Sequence, residues 1–371
     1  MEQVLIIGGG IAGMTAAVAL AQRGVRCTVV EAQSEWRATG VGIGLQSPPL
    51  RALKAIGLFD EVVRIGRVQP HIAIERADAT RLALVPQVNV NEPDDPPFVN
   101  MSRMALHELL VDAVRAHDVD VRLGATATGL RDTPDGVVAA LPGGDERFDL
   151  VIGADGLHSA TRTAVLPDAP APGYSGQVIW RMGGRCPEGL DVYTIMDGGP
   201  HRIGLVPLPG DELYLWMLDS TLPPARPPQD RLLDLFQERM AEYGGFAPAV
   251  AAQATSPEQL DYRALHALLV PPPWHAGRVV LIGDAVHTTT PQLAWGAGLA
   301  IEDAVVLAEL VGDGVPAEEI GPRLAPRRFD RCRVVVEGSL QLSRWEQEGG
   351  GPRPEAAQLT ASAFARLAAP I

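Results

Sequence analysis

Apolar positions along this 371-residue chain follow two rhythms, continuous runs and alternation, and these occupy different stretches. The run from Val4 to Ile7 is wholly apolar and rich in branched side chains, which predicts a strand buried on both faces in a parallel sheet. Met14 to Gln22 is Ala-rich and helix-forming, Gly24 stops it, and Arg26 to Val30 is the next strand. Further along, the pattern predicts a helix over Pro48 to Leu58 closed by Gly57, and loosely alternating strands over His71 to Val90. Met101 to His117 reads as an amphipathic helix with Leu106, Leu109, Leu110 and Val114 on one face and Ser102 as N-cap. Strands are expected over Val119 to Leu123, Gly136 to Leu141 and Arg147 to Ile152. From Gln177 to Asp219, strand-like runs (VIWRMGGR, VYTIMD, HRIGLVPL, ELYLWML) are separated by turns such as Pro209-Gly210-Asp211, the signature of an antiparallel sheet. Helices follow over Asp230 to Tyr243, Leu299 to Val311 and Arg323 to Glu348, with a buried strand over Arg278 to Ile282. A Gly/Pro break at Gly349 leaves the tail loose until Ala356.

Composition narrows the class. With 46% hydrophobic and 20% charged residues the chain is an ordinary globular protein, long enough for two domains. A net charge of −14 argues against nucleic acid and anionic membrane as partners. Three cysteines, an odd count without a C-x-x-C, argue against a disulfide framework and a zinc site. Met1-Glu2-Gln3 lacks the basic start of a signal peptide, and no apolar run is long enough to span a bilayer, so a reduced cytoplasmic setting is expected.

Candidate chemistry begins where the first strand ends. Gly8, Gly10 and Gly13 have G-x-G-x-x-G spacing: one glycine for the tight turn, one for approach of the backbone to a pyrophosphate, one for helix–strand contact. The helix N-terminus that follows offers N–H groups to a phosphate. Glu31, at the end of the second strand, suits both hydroxyls of an adenosine ribose and repels a 2′-phosphate, which favours FAD or NAD over NADP. Gly40, Gly42 and Gly44 alternate with Val41, Ile43 and Leu45, as in an extended wall passing close to something flat. Arg103 stands in the first turn of its helix, against the dipole preference, which hints at an anion, although a solvated arginine is the commoner explanation. Asp155 lies at the carboxyl end of a strand, in Gly153-Ala154-Asp155-Gly156, and Gly296-Ala297-Gly298 opens a helix, making two further ligand-facing junctions. In the middle sheet, Tyr214 and Trp216 share a face, and Arg181 and Arg202 are cations with few reasons to be there except an anion or cofactor; Trp216 serves equally as sheet core.

Three stretches in order, GGGIAG, ADGLHSATR and GDAVHTTTP, resemble the single-component (group A) FAD-dependent aromatic hydroxylases, the para-hydroxybenzoate hydroxylase-like flavoprotein monooxygenases, over essentially the whole chain. The resemblance implies an α/β fold of two domains with C-terminal helices: a Rossmann-like FAD-binding domain (1–69, 98–172 and 266–311), a substrate domain with a mostly antiparallel sheet (70–97 and 173–265) and a helical region (312–371). It implies that Gly8, Gly10, Ile11, Ala12, Gly13 and Glu31 hold the ADP half of FAD, and that Arg37 and Arg103 contact its pyrophosphate and ribityl region. Asp155, with Gly156, Ser159 and Arg162, matches a motif serving FAD and NAD(P)H, and Asp284 matches the aspartate bonded to the ribityl chain. Pro291 and the backbone of Gly296, Ala297, Gly298 and Leu299 would line the isoalloxazine, with Gly42 and Ile43 on its other side. Arg202 and Tyr214 match substrate-contacting positions and are the candidate catalytic pair; Arg181, Trp216 and Trp295 complete the substrate set.

The implied activity is hydroxylation of a small electron-rich aromatic or N-heterocyclic compound through a flavin hydroperoxide, with NADH or NADPH as transient reductant and molecular oxygen as co-substrate, by a monomer or homodimer. Trp295 and Gly298 replace the usual Gln and Asn beside the flavin, and Gln292 replaces an acid found in urate-type members, which argues against urate. The alternatives are a non-catalytic or auxiliary flavin-binding protein and a flavin halogenase, whose W-x-W-x-I-P signature is absent. His287 is a structural residue or a base, and no general base is assigned.

Overall fold

Four sheets and a set of helices build the molecule; the structure, a computed structural model, describes residues 1–36, 40–198, 201–349 and 353–371. The central sheet has six strands in the order His275–Ala276, Val279–Leu281, Leu150–Gly153, Gln3–Ile7, Arg26–Glu31 and Asp120–Leu123, parallel except for the hairpin at its His275 edge. Val4, Leu5 and Ile6 are fully buried because helices cover one face and a second sheet the other. The helix Ile11–Ala21 packs on the long helix Gly296–Gly312, their contact permitted by a run of alanines. Gly24 takes a left-handed φ of 78° where the first helix ends.

A seven-stranded sheet forms the second half, in the order Asp261–Ala267, Gly173–Arg185, Glu212–Asp219, Arg202–Pro207, Tyr193–Met196, His71–Glu75 and Arg81–Pro86. It is antiparallel except where Tyr193–Met196 runs parallel to His71–Glu75. One face carries Trp180, Met182, Leu205, Leu215 and Met217, all sealed beneath the helix Gln229–Met240. The other face carries Arg181, Arg202, Tyr214 and Trp216 and meets the half built on the central sheet: Tyr214 packs on Gly42 and Gly183 lies under Val41. Among the described residues no helix is long and apolar enough to cross a membrane.

Several boundaries differ from the sequence expectation. Arg147 to Ile152 is two strands, Gly144–Phe148 and Leu150–Gly153, which belong to different sheets. The break is Asp149, whose carboxylate accepts the N–H groups of Glu2 and Gln3 at 2.6 and 3.1 Å. The strands Gly129–Thr133 and Asp261–Ala267 were not foreseen: the first is largely exposed, and in the second the polar residues Asp261, Arg263 and His266 interrupt the apolar pattern. The C-terminal helix starts at Ala317, six residues before the expected Arg323. It runs through Pro322 and Pro326, tolerated because Ile320, Leu324 and Ala325 are buried on the neighbouring helix. The tail forms a further helix, Pro354–Leu367, anchored by Ala363 and Leu367.

Candidate functional site

The carboxyl ends of the central strands open towards the polar face of the seven-stranded sheet. At the first turn, Gly8 has φ 110°, and a side chain there would lie 2.4 Å from the Ala154 oxygen; one on Gly13 would lie 1.9 Å from the Gly8 oxygen. A side chain on Gly10 would meet nothing within 4 Å, so this glycine faces open space. No side chain caps the helix Ile11–Ala21 and no acid stands in its first turn, so its N-terminal amides and positive dipole end stay available to an anion. Glu31 is fixed at the strand end by the N–H groups of Gly9 (2.7 Å) and Gln33 (2.8 Å). Trp36, not foreseen, covers Gly9 and sets its ring edge-on to His107 at 5.4 Å. Arg37 lies outside the described residues.

Asp284 begins a one-turn helix directly after Gly283, whose φ of 62° turns the chain out of its strand. Desolvation by the surrounding protein raises the pKa of the Asp284 carboxyl, with His287 and Arg103 opposing. Desolvation likewise lowers the pKa of Arg103, reinforced by Arg181 and opposed by Asp284 and Tyr214. Arg103, Asp284, Arg181 and Tyr214 therefore share one electrostatic neighbourhood. The Tyr214 phenol is pushed up, first by burial and against the pull of Arg181. Its ring occupies the place a Gly42 side chain would take, 2.3 Å from the would-be Cβ, and Ile43 continues that wall half-buried.

The second junction is held by its own side chains. Asp155 accepts from Ser159 Oγ (2.5 Å) and from Thr161 N and Oγ1 (both 2.9 Å), bracing the first turn of the short helix Ala160–Val165, whose N-cap is Ser159. Arg162 donates to the carbonyls of Leu157 (3.0 Å) and Ala285 (2.8 Å), tying this loop to the Asp284 loop. Behind Asp284 lies a buried charge network that the sequence did not reveal. His287 Nε2 and Gly283 N meet Asp303 Oδ2 at 2.5 and 3.0 Å. Arg328 bridges Asp303 (2.7 Å) and Glu302 (2.8 Å), and Arg331 pairs with Glu302 at 2.6 Å. His287 thus belongs to the scaffold: Asp303 holds its pKa well above the ordinary imidazole value, against desolvation.

The loop after Asp284 departs from expectation. The helix begins at Gly296, so the Gly-Ala-Gly stretch forms its first turn rather than preceding it; no side chain caps it. Pro291, Gly296 and Ala297 are half-exposed. Gly298 and Leu299 are buried, Gly298 because its missing side chain makes room for Pro49, and only their backbone can face a ligand. Trp295, expected in the substrate set, is not on the polar sheet face. Ala294 adopts a left-handed φ of 54° that reverses the chain, and the Trp295 ring, 1% exposed, packs edge-on against Phe364 of the tail helix at 4.9 Å.

Neither Arg181 nor Arg202 is free. Arg181 pairs with Asp261 at 3.2 Å, and Arg202 pairs with Glu346 of the long C-terminal helix at 2.6 Å. Trp216 donates to the Tyr193 hydroxyl at 3.1 Å and fills the space above Gly204. Asp261, Glu346 and Tyr193 were missed because each lies far in sequence from its partner.

Comparison with known proteins adds to this geometry. Residues 1–313 match the FAD binding domain family. Aurachin C monooxygenase/isomerase of Stigmatella aurantiaca is 32% identical over 353 residues, covering 92% of this chain and 90% of that protein. FAD-dependent urate hydroxylase of Klebsiella oxytoca is 30% identical over 346 residues, covering 90% and 88%. Among solved structures, Klebsiella pneumoniae HpxO complexed with FAD and uric acid superposes with a TM-score of 0.84 at 26% identity, covering 99% of this chain and 92% of that one. The 2-methyl-3-hydroxypyridine-5-carboxylic acid oxygenase (mutant C294A) gives 0.81 at 26% identity, covering 99% and 98%.

Proposed function

Because the chain belongs to the FAD binding domain family and to its FAD-dependent monooxygenases, we propose that it hydroxylates a small electron-rich aromatic or N-heterocyclic compound, using NADH or NADPH as transient reductant and molecular oxygen as co-substrate. The cofactor is FAD. The observation that carries this reading is the meeting of two uncapped helix N-termini and the Asp284 carboxylate beneath a sheet face bearing Tyr214 and Trp216.

The residues present fit the cofactor. Open space at Gly10 and the bare amides from Ile11 to Gly13 suit a pyrophosphate, with Gly8 and Ala12 shaping the turn. Glu31 keeps acceptor capacity for ribose hydroxyls beyond its two backbone bonds. Arg103 and Asp284 would hold the ribityl region, and Pro291, the amides of Gly296 to Leu299, and the Gly42–Ile43 strand would border the ring. Asp155 acts by shaping its loop, since its carboxylate is already engaged by Ser159 and Thr161. When bound, FAD accepts reducing equivalents from the nicotinamide and activates oxygen. The protein's part would be orientation: Tyr214, set on Gly42 and beside Arg181, would help to position an aromatic substrate and to exclude water from the site.

Asp284→Ala is expected to lower FAD affinity about tenfold to hundredfold, the worth of one hydrogen bond to a charged group, roughly 1.5–3 kcal/mol. Titration of the apoprotein with FAD measures this, and wild-type affinity would remove Asp284 from the site. The function itself is tested by screening phenols and hydroxypyridines for stimulated NAD(P)H consumption. A protein that binds FAD but responds to none of them is an auxiliary flavin-binding protein instead.

A further inference from the structure

The polar face of the seven-stranded sheet carries Arg181, Arg202 and Arg263, and all three are ion-paired. Asp261 takes both Arg181 (3.2 Å) and Arg263 (2.8 Å). Arg202 is held by Glu346, and Asp197 adds negative potential around it. Glu346 is itself locked in place: its second oxygen accepts from Gln292 (2.9 Å) and Gln177 (3.2 Å), and Gln177 is fixed in turn by Ser343 at 2.6 Å. Arg202 and Glu346 are both largely buried, with side chains 25% and 18% exposed, so the pair is strongly coupled and weakly screened. A carboxylate entering beside Arg202 would meet an already neutralised cation and the charge of Glu346. The same cluster keeps two buried polar atoms without a protein partner, the donor Arg202 Nε and the acceptor Gln292 Oε1.

We propose that this cleft selects an uncharged hydroxylated aromatic or N-heteroaromatic substrate over its carboxylated counterpart, and that Glu346, by neutralising Arg202, is the residue that sets this preference. The inference rests on the reading of the cleft as a hydroxylase site, and it names the charge class of the substrate.

The test uses FAD-reconstituted enzyme and two matched probe pairs, phenol with 4-hydroxybenzoate and 3-hydroxypyridine with 5-hydroxynicotinate. Binding is followed by perturbation of the flavin absorbance and turnover by NAD(P)H consumption. Wild type is expected to bind the neutral member of each pair at least about tenfold more tightly. Glu346→Gln keeps the shape and frees the Arg202 charge, so the neutral-to-carboxylate ratio is expected to shift about tenfold to hundredfold towards the carboxylate. The double variant Arg202→Gln/Glu346→Gln is expected to prefer the neutral probes again. A wild-type preference for the carboxylates, an unchanged ratio in Glu346→Gln, or no binding of either class would overturn the proposal, and the wild-type ratio decides even if a variant fails to fold. Charge-selective binding without stimulated NAD(P)H consumption by any probe would instead count against the hydroxylase reading and leave the selectivity standing.

Discussion

Gly13→Ala is expected to yield protein that cannot retain FAD, with affinity reduced by more than about a hundredfold. The added carbon would sit 1.9 Å from the Gly8 oxygen and 3.2 Å from Ile6 Cγ2. Both are rigid: Ile6 is fully buried in the central strand, and Gly8 is pinned by its N–H bond to the Val30 carbonyl at 2.8 Å. Only a shift of the helix Ile11–Ala21 relieves the clash, and that helix carries the amides meant for the pyrophosphate. Overpacking of this kind costs typically about 1–3 kcal/mol in stability. The binding loss adds to it, because displaced amides no longer converge on one phosphate. The ratio of FAD to protein after gel filtration, with a melting curve of the apoprotein, measures both. Stoichiometric FAD in the variant would show that the turn is not the pyrophosphate site.

Arg328→Ala has the largest expected effect on stability. It strips the fully buried carboxylates of Asp303 and Glu302 of a shared cation, leaving His287 and Arg331 as their partners. Removing one partner of a buried pair costs about 3–5 kcal/mol, which corresponds to a fall in melting temperature on the order of ten degrees. The network also dictates a pH window. His287, held protonated by Asp303, contributes stability that is complete below its unfolded pKa of about 6.5 and is lost as pH rises through its higher folded value. Asp303, held down at about 2 by His287 and Arg328, contributes stability that is complete above its unfolded value near 3.9 and is lost as pH falls through 2. The difference in melting temperature between wild type and Arg328→Ala is therefore expected to narrow at the acid end. An equal melting temperature at neutral pH would contradict this role.

Much of the nucleotide half was legible because its signals are local. The strand Gln3–Ile7, the glycine turn and Glu31 sit within thirty-one residues, and the α/β fold, the antiparallel second sheet, FAD and the monooxygenase class follow the expectation. The polar face of the sheet was legible only as a set of side chains. Alternation put Tyr214 and Trp216 together, but nothing near Arg202 pointed to Glu346, 144 residues away on a helix. The cation expected to meet a substrate anion is an ion pair instead. Trp295 was misplaced for a similar reason: its direction depends on the left-handed Ala294 and on Phe364 of a tail that the Gly/Pro break made look loose. Motif spacing locates backbone; long-range pairing decides which side chains remain free.

Turnover under ¹⁸O₂ tests monooxygenation most directly. The FAD-loaded enzyme, supplied with NAD(P)H and an aromatic compound that stimulates its consumption, is expected to release a hydroxylated product carrying one ¹⁸O atom, identified by mass spectrometry. Consumption of NAD(P)H that yields only hydrogen peroxide with every such compound, or a product whose new oxygen comes from water, would contradict it.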